Sequence, residues 1–239
     1  MNSNKSLNFL QDYVKKNINP NKPTTDLEDS GVRALILLVQ ENYHSPLGLK
    51  GVPNKKVTDI REAISFSYPI ELYEYLADRT YISDILLNKP IRIEDYIENI
   101  GLLNEKIISY DSLPEDMQGS DGYELTHYVW GLYSIAKDNY ILRTYKSFMI
   151  NSLINLYKRI PEVNDLSTEC LYFISLIEPN SIKEDWIIDL QNSQNKDGSF
   201  GRINKSWPKK NQEIIKAHHV GLALMVLHNF YNGVIETTV

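Results

Sequence analysis

From Leu7 to Phe230 apolar residues recur every three to four positions, and no stretch alternates apolar with polar over a strand's length. That periodicity leaves helix packed on helix as the route to a core and makes the class all-α. Leu7, Leu10, Tyr13 and Val14 define a first helix ending before Asn19–Pro20. A second follows the turn-rich linker, with Asp29 or Ser30 as its cap and Val32, Leu35, Ile36 and Val39 as its buried stripe. His44 to Asn54 reads as a loop. A helical stretch carrying Ile60 to Leu76 is divided by Pro69, and helices over 81–87 and 93–108 flank Asn88–Lys89–Pro90. Beyond a polar loop at 111–121, the spacing predicts helices over 123–139, 140–159, 165–177, 182–191 and 212–231, with Gly233 just past the last. Roughly ten or eleven helices joined by short loops result, in one domain spanning 1–239.

Charge and composition remove several function classes. The net charge is -6 and no Lys/Arg cluster exists, so the counterion-releasing surface that nucleic acid requires is missing. No apolar run reaches the ~18 residues of a membrane span. The first residues lack the apolar segment of a secretory signal, and a lone Cys170 fits a reducing compartment, so the expected location is cytoplasmic. Walker loops, dinucleotide glycine fingerprints and Gly-x-Ser-x-Gly elbows do not occur.

Weak internal repetition is visible. Leu125 to Ile135 matches Leu166 to Leu176 in polarity, and setting His127 over His219 also matches Leu132 to Leu224. The implied period of about 40 to 50 residues suits stacked helical hairpins. Near the C-terminus, Gln191 or Gln194, Asn195 and Asp197-Gly198-Ser199-Phe200-Gly201 precede a helix bearing His219, Leu224 and Leu227. In that turn Gly198 and Gly201 permit positive φ, Asp197 makes an Asx turn, and Phe200 plugs the gap between hairpins.

This stretch resembles the Gln…Asp-Gly-Ser-aromatic-Gly turn of the terpenoid cyclase and protein prenyltransferase superfamily. The resemblance implies an α/α toroid of helical hairpins, complete or as an incomplete barrel. Sugar-cleaving α/α barrels and complement-like thioester domains share such toroids, so chemistry has to be argued from the site. Pro23 to Gly31 is similar to the Asp-x-Asp-Asp-Thr acid motif of class II cyclases, with Glu28 in the acid's place between Asp26 and Asp29. The family has Asp there and a second helical domain; the alternative is an acidic first helical turn. Of the prenyltransferase zinc ligands, an Asp, a Cys and a His, only His219 has a match, and Glu169-Cys170 does not reproduce the Asp-x-Cys order. Cys170 lies on an apolar helix and reads as core.

From the residues alone, Glu124 and His127 share a helix face, and His218-His219 opens the last helix. If His127 and His219 occupy matching places in neighbouring repeats, they face one cavity. There they could act as acid and base, with Glu124 orienting His127, or hold a divalent metal together with Glu124. The alternative is that these residues are satisfied core hydrogen-bonders. Tyr123, Tyr128, Trp130 and Tyr133 surround His127 and either line a pocket or pack between helices. The expected function is binding of a small-molecule or peptide-like ligand in a central cavity, with cyclase-, transferase- or hydrolase-like chemistry. The rival is a non-catalytic helical repeat that holds a partner protein on a concave face. Oligomeric state is open.

Overall fold

A computed structural model describes residues 2–18, 27–49, 92–135, 140–202 and 209–232, without the side chains of 27–30, 134–135 and 209–210. The expected helices over 60–76 and 81–87, together with Asp26 and Gly233, lie outside these residues. The described chain is all-α. Its longer helices are α1 (Ser3–Asn17), α2 (Leu27–Asn42), α3 (Ile93–Ile108), α4 (Tyr123–Ile135), α5 (Tyr140–Tyr157), α6 (Asp165–Ile177), α7 (Glu184–Asn192) and α8 (Lys209–Asn232). Among the described residues no strand forms; one isolated bridge joins Gln194 and Phe200. No described helix is long and apolar enough to cross a membrane.

Burial separates inner from outer helices. From Asp165 to Ser175 every residue of α6 is buried, and on α8 the run Val220 to Leu227 is buried on all sides. A helix buried all round must be surrounded, and these two pack on each other. Around them α2 and α1 lie against α8, and α4 and α5 against α6; α3 packs on α4 and α5. The outer helices bury single stripes: Ser6, Leu10, Tyr13 and Val14 on α1, and Tyr96, Ile100 and Ile107 on α3.

Local chemistry fixes where α6 begins. The Asn164 side chain accepts from Ser167 N–H (2.9 Å), and Asn164 N–H donates back to the Ser167 hydroxyl (2.9 Å), a reciprocal cap. Asn164 Nδ2 also donates to Gln118 Oε1 (2.9 Å), while Gln118 Nε2 donates to the Leu113 carbonyl (2.8 Å). Pro179 stops the helix.

Two local expectations are corrected. Helix α2 begins at Leu27, so Asp29 and Ser30 lie inside its first turn rather than capping it. The expected loop at 111–121 is partly helical, with a turn at Glu115–Met117 and a π-helical turn at Gln118–Gly122 that runs straight into α4. The buried Gln118 amide satisfies backbone and side-chain partners there, which lets the chain wind instead of looping out.

The Gly/aromatic turn has the predicted chemistry. Gly198 and Gly201 have φ of 92° and 55°, the Asp197 carboxylate accepts from Ser199 N–H (3.0 Å), and Phe200 is buried. Its glutamine is Gln194, whose amide donates to Asn2 O (3.0 Å) and Ser6 Oγ (2.8 Å) and accepts from Asn2 N–H (2.8 Å). The turn therefore clasps α1. Gln191 instead donates to the Tyr231 hydroxyl (3.0 Å).

Candidate functional site

Four ionisable side chains converge, three from the inner helices α6 and α8 and one from α4. Asp165 and Glu169 stand four residues apart and therefore share one face of α6. His218, from α8, brings Nδ1 to 2.9 and 3.0 Å from the two Asp165 oxygens. His127, from α4, sets Nε2 3.6 Å from Glu169 Oε1. Helix α4 supplies two hydroxyl donors as well: Tyr123 to Asp165 Oδ2 (2.8 Å) and Thr126 to Glu169 Oε1 (2.9 Å). One ligating atom each from Asp165, Glu169 and His218 lies within 4.8 Å of the others. Around a tetrahedral cation, ligand atoms at 2.0–2.2 Å stand about 3.4 Å apart, so closing on a metal asks for roughly an ångström of side-chain movement.

Burial sets the electrostatics. It pushes the Glu169 carboxyl up to about 7, with the Asp165 charge adding to the effect while His218 and the Thr126 hydroxyl oppose it. For Asp165 burial also pushes upward, but the charge and hydrogen bond of His218, with help from His219 and Tyr123, hold it below the ordinary carboxylate value. Burial lowers His127 and His219 to about 4 each. The His127 side chain keeps 32% of its surface, so solvent moderates its shift, whereas His219 is fully enclosed.

These shifts predict the pH dependence of the metal-free chain. His219, depressed from 6.5 to about 4, binds fewer protons folded than unfolded between those values. Its contribution, about 3 kcal/mol at 1.36 kcal/mol per unit, is present above pH 6.5 and lost as pH falls towards 4. His127 has the same sign. Glu169, raised from 4.5 to about 7, works in the opposite sense: its contribution is present below 4.5 and lost as pH rises through 7. Stability should therefore peak at about pH 6.5. Urea midpoints across the pH range check this, and Glu169→Gln should remove the decline on the alkaline side.

The site differs from the sequence expectation in two members. Glu124 is exposed, and the carboxylate beside His127 is Glu169. His219 does not join the cluster; His218 does. The His219 ring bonds the Thr168 hydroxyl through Nε2 (2.8 Å) and lies 6.0 Å from the Phe200 ring, in the core. Successive residues on a helix point about 100° apart, so the two histidines meet different residues of α6, Asp165 and Thr168. Tyr123 reaches the site, with its ring 6.3 Å from His127. Tyr128 instead packs edge-on against Tyr96 (5.6 Å), and Trp130 and Cys170 are core. Glu28 and Asp29 belong to the first turn of α2, and their side chains are not described.

Asp165 and Glu169 belong to no motif, yet the sequence carries a signal for them. Two carboxylates on a largely apolar helix flanked by other helices need partners inside the protein. Against protein-family models, curated proteins and solved structures, the chain gives no match.

Proposed function

We propose that the chain is a divalent-metal-dependent enzyme acting on a small organic or peptide-like ligand, with Asp165, Glu169 and His218 as metal ligands and its helices arranged as an α/α toroid. One observation carries this reading: two carboxylates buried in the core share a focus with an imidazole, their ligating atoms within 4.8 Å of one another. Concentrated negative charge in a water-poor interior is costly without a cation, and Glu169 meets that cost in the metal-free chain by holding its proton.

Three protein ligands leave a coordination position open, as catalytic centres do and structural ones do not. Partial exposure of His218 and His127, 25% and 32%, gives a ligand a way to reach the cluster. A bound cation supplies Lewis acidity there, or an acidified water. His127, uncharged near neutral pH, can take a proton from a nucleophile; Tyr123 and Thr126 hold the carboxylates in place.

Zn2+ added to the metal-free chain at about 100 times its Kd should stabilise it by about 2.7 kcal/mol. For a chain of this size the melting temperature should rise by roughly 5 to 11 °C. A midpoint unmoved by Zn2+, Mn2+, Co2+ and Mg2+ would count against the cation.

A second reading has its own observation. The two contacts of His218 Nδ1 with Asp165 are those of a dyad in which the carboxylate orients the ring and leaves Nε2 as a metal-free general base. Chemistry of that kind would be indifferent to chelators.

A further inference from the structure

The hydroxyls on α4 are spaced to match the carboxylates on α6. Tyr123 and Thr126 stand three residues apart, Asp165 and Glu169 four, so one turn of each helix faces one turn of the other. The approach is close because Gly122 has no side chain; a Cβ there would lie 2.5 Å from Leu166 Cδ2. Each hydroxyl addresses one oxygen of one carboxylate. Tyr123 takes Asp165 Oδ2, and Thr126 takes Glu169 Oε1, the same atom that His127 faces. Asp165 Oδ1 takes no hydroxyl and is contacted by His218 Nδ1 at 2.9 Å, so it becomes the Asp165 oxygen for a cation once that imidazole turns to coordinate; on Glu169 the corresponding oxygen is the one other than Oε1.

We infer that Tyr123 and Thr126 are positioning residues that limit Asp165 and Glu169 to one coordinating oxygen each, and thereby favour a small cation of the Zn2+ type over Ca2+. This rests on the metal reading above. Ca2+ takes six to eight oxygens at 2.3–2.6 Å and draws on two-oxygen carboxylates, whereas Zn2+ is satisfied by four ligands that include imidazole. Thr126 carries one hydroxyl proton and two acceptors at 2.9 Å, the Tyr123 carbonyl and Glu169 Oε1. A carboxylate oxygen is the stronger acceptor of the two, so the hydroxyl is directed at Glu169 Oε1. Tyr123 holds Asp165 through Oδ2, an oxygen that His218 Nδ1 also contacts at 3.0 Å.

The test is a competition titration of Zn2+ and Ca2+ against a chromophoric chelator, using the full chain near neutral pH. The wild type should bind one Zn2+ and prefer it to Ca2+ by more than about 100-fold, as its nitrogen ligand and one-oxygen carboxylates require. Tyr123→Phe and Thr126→Val should each weaken Zn2+ by roughly 10- to 100-fold, the usual size of an outer-shell loss, and narrow the preference over Ca2+. Thr126→Ser, which keeps the hydroxyl, should restore binding. Metal-free melting temperatures of the variants should stay close to wild type, so that lost affinity is not lost structure. If Tyr123→Phe fails to fold, the Thr126→Val and Thr126→Ser pair carries the test alone. Unchanged Zn2+ affinity in Thr126→Val, with a wild type that does bind, overturns the positioning role and leaves the metal site standing. A wild type that binds no Zn2+ overturns both.

Discussion

The double variant Asp165→Asn, Glu169→Gln should lose Zn2+ affinity by more than about 100-fold, beyond the usual outer-shell effect, and still fold. Both substitutions keep shape and an acceptor for each α4 hydroxyl, although asparagine offers His218 one acceptor oxygen where Asp165 offers two. Asparagine can still accept from the Tyr123 hydroxyl, and glutamine from Thr126. Glutamine also resembles the form Glu169 already takes in the metal-free chain, since burial has pushed its carboxyl up to about 7. On the Glu169 side the charge removed is therefore one that folding does not need and a cation does, while on the Asp165 side the variant also removes the carboxylate that His218 holds ionised. Metal-free stability should stay within about 1 kcal/mol of wild type on the Glu169 side, where no buried charge is stranded. Calorimetric Zn2+ titration beside urea unfolding separates the two quantities. Retained affinity would mean that these carboxylates are not ligands.

Gly201→Ala should be strongly destabilising for a single added methyl. Gly201 has φ of 55°, where an L side chain is strained, and the added carbon would run into the Val163 carbonyl oxygen and approach His219 Cε1 to 2.9 Å. Strain and overpacking together should cost about 2 to 5 kcal/mol. At roughly 2–4 °C per kcal/mol for a chain of this length, the melting temperature falls by about 5 to 20 °C. Both obstacles are rigid: Val163 leads into the cap of α6, and His219 is locked to Thr168. A midpoint within a degree or two of wild type would show that the loop can retreat, and that the turn does not brace the inner helices.

Much of the helical layout is legible in the sequence. The spans 93–108 and 165–177 coincide with α3 and α6 because strong stop signals bound them: Pro90 before the first, and Asn164 and Pro179 around the second. The Gly/aromatic turn is legible for the same reason, as its glycines and Asp197 have local work to do. The π-turn at 118–122 is not, since one residue added to a helical turn leaves composition unchanged and depends on Gln118 meeting Asn164, 46 residues away.

The site was half legible for a related reason. Spacing identifies His127 and the His218-His219 pair as inward-facing polar groups on apolar helices. It does not set the rotation of α8 about its axis, which decides that His218 meets Asp165 while His219 meets Thr168. Glu124 has the right spacing to His127, but it lies at the exposed start of α4. The partner His127 faces is carried by α6, through packing no local pattern encodes.

A crystal of the chain grown with Zn2+, with anomalous diffraction recorded at the zinc edge, addresses the cation most directly. The expected result is a single peak about 2.0–2.2 Å from one oxygen of Asp165, one oxygen of Glu169 and Nδ1 of His218, with the direct Asp165–His218 hydrogen bond broken. A map with no peak there, and His218 still bonded to Asp165, would contradict the metal centre and leave the dyad in its place.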